Sequence, residues 1–137
     1  MEKSIDITKI FAIANRRMQM HYARELAALD IKFGLMGYLM CIRNNPGLSQ
    51  EQISSIMAVE KSSVAKAVKQ LEAEGFITRT VNPNSRREYI LVPTEKAEEA
   101  HEKLKSVKEK VHAVMTRNMT DIERDLFLRL LDKIALD

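Results

Sequence analysis

The stretch "LSQEQISSIMAVEKSSVAKAVKQLEAEGFITRTVNPNSRREYILVPTEKA", residues 48–97, decides the fold. It opens with Ser49 and, three residues on, Gln52, the pair that closes a capping box at a helix start. Ile53, Ile56 and Met57 are the expected inward face of that helix. Residues 58–60 break the periodicity. A second helix is expected over 61–74, where Gly75 supplies the left-handed residue that follows a helix end. Phe76, Ile77 and Val81 then lead to Pro83 between two asparagines, and Tyr89, Ile90, Leu91 and Val92 return. That pattern predicts a β-hairpin over 76–93 with Arg86 and Arg87 beside its turn. Two short helices joined by a tight turn suggest a helix-turn-helix, and a hairpin directly after them reads as a wing.

The flanks are helical. Upstream, Ile7, Ile10, Phe11, Ala14, Met18, Tyr22 and Leu26 recur at spacings of three and four, predicting a helix over 5–28. Another is expected over 33–44, stopped by Asn45, Pro46 and Gly47. Downstream, Thr94 is the expected cap of a long helix reaching about residue 117. Its apolar positions Ala97, Ala100, Leu104, Val107, Val111 and Val114 form a coiled-coil-like seam, which predicts a partner helix from a second chain. Thr120 with Glu123 makes a second capping box, and the last helix carries Ile122, Leu126, Leu130 and Ile134. The expected class is mostly α with a small β-hairpin wing. The expected division is a winged helix-turn-helix lobe at 31–93 and a helical lobe at 1–30 and 94–137.

Composition sets wide bounds. At 137 residues with 45% hydrophobic content, the chain has the size of one globular domain. Its net charge is +3, which permits an anionic partner without demanding one. The segments 1–48, 49–93 and 94–137 carry +3, +1 and −1 respectively. The N-terminus has no apolar run after a basic start, so no secretory leader is expected. No stretch approaches the ~18 apolar residues of a membrane span. Cys41 is the only cysteine, which excludes an intrachain disulfide. The expected location is the cytoplasm.

On a helical wheel Val64, Ala67, Val68 and Leu71 share one face of the 61–74 helix. Ser62, Lys66, Lys69 and Ala73 lie opposite, within about 60° of one another. That outer face is small, hydroxylated and basic, and the first turns hold no carboxylate. Hydroxyls can bond bases or phosphates and ammonium groups neutralise phosphate, so the face suits the major groove. A solvated helix surface would also carry lysine and serine. The hairpin arginines tilt the balance toward DNA.

The quoted stretch resembles the winged helix-turn-helix core of the MarR family of bacterial and archaeal transcriptional regulators. Leu-Glu-x-x-Gly-Phe-Ile-x-Arg at 71–79, leading into the wing, is the most specific part, and the element order matches over nearly the whole chain. The resemblance implies a homodimeric, sequence-specific DNA-binding repressor relieved by a small molecule. Its operator would be double-stranded and pseudo-palindromic. The family's wing carries Asp-x-Arg; the matching positions here are Ser85 and Arg87, so the resemblance makes Arg87 the wing arginine that enters the minor groove. Ser85 replaces the bracing Asp, and Pro93 stands where Leu is usual. The expected DNA contacts are Ser62, Ser63, Lys66, Lys69, Arg86 and Arg87.

The family also implies an effector pocket between the lobes. Met18, Tyr22, Met36 and Tyr38 are the candidates, for an apolar or aromatic ligand; for each taken singly, ordinary core packing is the simpler reading. Arg16 and Arg17 could hold an effector carboxylate, or face solvent. Cys41, among apolar neighbours, is expected to be a buried inert thiol. His21, His101 and His112 do not form a metal-ligand spacing. No catalytic triad, glycine-rich phosphate loop or paired-carboxylate site is present, so neither an enzyme nor a cofactor is expected. The competing function is a winged-helix module that binds protein instead of DNA.

Overall fold

A computed structural model describes residues 4–135, except the side chain of Arg86. Six α-helices and one two-stranded sheet follow in the order α1 (Ile7–Leu26), a short 3-10 turn (Ala27–Leu29), α2 (Phe33–Asn44), α3 (Gln50–Met57), α4 (Lys61–Ala73), β1 (Ile77–Asn82), β2 (Ser85–Pro93), α5 (Glu95–Met115) and α6 (Asp121–Leu131).

Local chemistry accounts for the boundaries. Asp6 caps α1 by accepting the Lys9 N–H at 3.1 Å. Both predicted capping boxes close: Ser49 with Gln52 at α3, and Thr120 with Glu123 at α6. Ala58 takes a left-handed conformation (φ 53°) to end α3. Gly75 does the same after α4 at φ 82°, where a side chain would be strained. Thr94 stands at the start of α5 as expected, but its hydroxyl does not cap that helix. It donates instead toward the Gly75 and Phe76 carbonyls, at 2.7 and 3.0 Å, tying the end of β2 to the α4–β1 turn.

One core runs through the chain. Leu26 of α1, Leu39 and Ile42 of α2, Ile53 of α3, Val64, Val68 and Leu71 of α4, Ile77 and Leu91 of the hairpin, and Leu104 and Val111 of α5 are fully buried. Two expectations need correction. Ile56 does not face inward: it is 58% exposed, because α3 is only eight residues long and presents one narrow face, centred on Ile53, to α4. The α5 seam does not wait for a second chain either. Ala97, Ala100, Leu104, Val107 and Val111 are buried against this chain's own α1 and α2, which already supply the apolar cover that a coiled-coil partner would. The uncovered apolar surface lies elsewhere. Ile7, Ile10 and Phe11 of α1, with Ile122, Leu126 and Leu130 of α6, are all about half exposed or more, and α6 makes no extensive contact with any other described element.

The hairpin is more than a ribbon at its base. β1 and β2 pair antiparallel from Ile77–Pro93 to Val81–Tyr89. On the other edge of β2, the Gly47 N–H donates to the Leu91 carbonyl (3.0 Å) and the Leu91 N–H donates to the Leu48 carbonyl (2.9 Å). The α2–α3 connection thereby acts as a short third strand. No described helix is long and apolar enough to cross a membrane.

Candidate nucleic-acid interface

The wheel reading of α4 holds. Val64, Ala67, Val68 and Leu71 are buried, while Ser62, Ser63, Ala65, Lys66 and Lys69 are exposed. Buried positions at spacings of three and four hold the helix to α2, α3 and β1 and leave its opposite side free. No acidic residue lies in the first turn, so the positive end of the helix dipole is not neutralised from within the helix. Glu51 on α3 pairs with Lys61 at the α4 N-terminus at 3.1 Å, linking the two helices. Lys61 was not singled out from sequence; its position at the very start of α4 was the available signal.

The wing differs in detail from a plain hairpin. Asn82 pairs with Ser85 across the two-residue turn at Pro83 and Asn84, and the Asn82 carboxamide oxygen accepts the Asn84 N–H at 2.9 Å. The next pair along is Val81 with Tyr89. Residues 86–88 therefore have no counterpart on β1 and form a bulge, which bends a strand and re-aims its side chains. Arg87, in that bulge, is exposed. It shares the rim of a cavity of about 290 Å³ with Ser49, the N-cap of α3, Glu51 of α3, Lys61 of α4, and Glu88. Among the described residues no hydrogen bond joins Ser85 to Arg87; the acidic groups around its cavity are Glu51 and Glu88. The backbone of Arg86 lies in the same bulge, and its side chain lies outside the described residues.

The effector candidates separate. Tyr22 is buried with its ring 5.1 Å from that of Phe33, and burial pushes its phenol above its ordinary value of 10.0. Met36 is also buried, and Met18 packs against the same core. Tyr38 lines a cavity of about 320 Å³ with Lys32, which precedes α2, Leu35 of α2, and Ser63 and Lys66 of α4. Cys41 is half-buried rather than enclosed, and desolvation raises its thiol from 9.0. Among the described residues no group of His, Cys, Asp and Glu is arranged to hold a metal.

The MarR family model matches residues 36–89, from α2 through the wing. A protein of Thauera aromatica, provisionally named as a transcriptional regulatory protein for the hcr operon, is 36% identical over 114 residues, spanning 82% of this chain and 69% of that protein. A crystal structure of MarR superposes with a TM-score of 0.86 at 29% identity, covering 97% of this chain and 90% of that one. A provisionally named MarR family regulator from Listeria monocytogenes, solved in complex with 26mer DNA, superposes with a TM-score of 0.85 at 26% identity, over 95% and 87% of the two chains. The helix order, the wing and this degree of identity over most of the sequence lead to one assignment: the chain belongs to the MarR family of transcriptional regulators.

Proposed function

We propose that the protein is a cytoplasmic homodimer that binds a pseudo-palindromic duplex operator and represses transcription until a small apolar or aromatic effector releases it. The DNA reading is supported by the exposure of Ser62, Ser63, Lys66 and Lys69 on α4, and by Arg87 of the wing, which shares a cavity with Lys61 at the start of that helix. In this reading α4 lies in the major groove, with Ser62 and Ser63 at its leading turns. Arg87, with Arg86 beside it, reaches the neighbouring minor groove, where narrow A·T tracts concentrate negative potential. The protein acts as a regulator and not as an enzyme.

The bare apolar faces of α1 and α6 support the dimer. In it residues 31–93 form the DNA-binding lobe and residues 1–30 and 94–137 the dimerisation lobe. Two copies would present their α4 helices to half-sites one helical turn, about 10 bp, apart. The effector would enter between the lobes near Met18, Tyr22, Met36 and Tyr38. Because Tyr22 and Met36 are packed, this requires a rearranged dimer that the ligand prefers over the DNA-binding one.

The test begins by selecting an operator from random duplexes and measuring affinity for it and for a scrambled duplex across salt concentrations. Arg87→Ala should weaken operator binding and relax preference at outer A·T positions. Lys69→Ala should weaken both duplexes alike and reduce the salt slope by about one. If both variants bind as wild type does, or no duplex is selected, α4 and the wing instead form a protein-interaction surface.

A further inference from the structure

A third cavity, of about 200 Å³, lies where the α1–α2 connection, the α4–β1 turn and the first turns of α5 meet. Leu29, Ile31 and Phe76 form its apolar wall; Lys96, Glu99 and Lys103 line its α5 side. Lys96 also holds the end of the recognition helix. Its stem passes 3.9 Å from where a side chain on Gly75 would begin. Its ammonium sits 4.4 Å from the Phe76 ring centroid and donates to the Glu74 carbonyl, the C-cap of α4. A cation there complements the negative end of the helix. Lys103, two turns farther along α5, forms no ion pair among the described residues.

The geometry points to this cavity as a binding site for a short, branched aliphatic carboxylate that withdraws Lys96 from the Glu74 carbonyl and so loosens the recognition helix. An ammonium bonds a carboxylate more strongly than a neutral carbonyl. Lys96 and Lys103 would take the two carboxylate oxygens, and Leu29, Ile31 and Phe76 would cover the branched tail. Glu99 stands between the lysines and leaves the site one net positive charge. The site is separate from the Met18–Tyr38 region, and its effect on DNA rests on the operator-binding reading above.

Isovalerate and its uncharged amide, isovaleramide, are the probes, titrated into the full chain while amide resonances are followed. Isovalerate should shift the amides of residues 74–77, and isovaleramide should bind at least tenfold more weakly. Lys103→Met should lower isovalerate affinity at least tenfold, and Glu99→Gln should raise it. Saturating isovalerate should weaken operator binding by about fivefold or more, the scale of ordinary allosteric coupling. Equal binding of acid and amide, indifference to Lys103→Met in a variant that unfolds at the wild-type temperature, or saturation without change in operator affinity would each overturn the proposal. A ligand-free protein that selects no operator would remove the DNA reading instead, while the acid-against-amide comparison still decides the site.

Discussion

Arg79 Nε lies 3.2 Å from Glu72 Oε2, so an ion pair ties the last turn of α4 to the first strand of the wing. The Nε–H has no hydrogen-bond partner among the described residues, so the contact is one of charge proximity and not a directed bond. The two side chains keep 29% and 42% of their exposure. Pairs this open contribute ~0.2–1 kcal/mol. A double-mutant cycle of Arg79→Met and Glu72→Gln should return a coupling in that range, shrinking as salt rises. A coupling of several kcal/mol, insensitive to salt, is the result that contradicts this account.

Ile53 and Ile56 sit on the same short helix in opposite environments, fully buried and 58% exposed. Ile53→Ala removes core volume and should cost about 2–5 kcal/mol of unfolding free energy. Ile56→Ala should fall within about 0.5 kcal/mol of wild type. Chemical denaturation of the two variants measures the contrast; equal losses would mean that Ile56 is covered in solution.

Leu126 is 55% exposed at the middle of the unpartnered α6 face. Leu126→Glu would place a carboxylate in the proposed dimer interface, where burying an unpaired charge is costly. Sedimentation at micromolar concentration should show wild type as a dimer and the variant dissociating. The wild-type unfolding temperature should also rise with protein concentration, as mass action requires of a dimer. A variant that sediments as a dimer would remove α6 from the interface.

Glu123 closes the α6 capping box, accepting the Thr120 backbone N–H at 2.9 Å. That bond, with help from the Thr120 side chain, holds its carboxyl below the usual value of 4.5. A carboxylate depressed by folding adds stability that is complete above its unfolded pKa. The contribution disappears as pH falls through the depressed value. Helix content should therefore drop more gradually with acid in Glu123→Ala than in wild type, because the variant has already lost that bond. Superimposable acid titrations by circular dichroism would show that the cap contributes nothing.

Much of the architecture was legible because local signals and burial agree. The capping boxes at Ser49 and Thr120, Gly75 after α4 and the α4 wheel each involve residues near in sequence, and each was found where expected. The misreadings concern relations between distant segments. Periodicity shows that α5 has an apolar stripe but not that its own α1 and α2 cover it. Ile56 carries the right spacing on a helix too short to bury a second row. The bulge at 86–88 follows from a strand of nine residues facing one of six, and the sequence marks only the turn. Within the candidate interface, Ser62, Lys66 and Lys69 were readable from the wheel. The company of Arg87, with Lys61, Glu51 and Glu88 around one cavity, depends on how the wing folds back over α3.

The pairing of Leu91 with Arg79 on one side and with the residue 47–48 connection on the other makes the wing a cantilever. Its root is clamped between two backbone ladders and a packed core, whereas residues 82–88 extend past the last regular pair. The free end can therefore change length or composition without loading the root. Related chains built on this plan could exchange the tip, and with it the reach of the wing, while the helices beneath stay as they are.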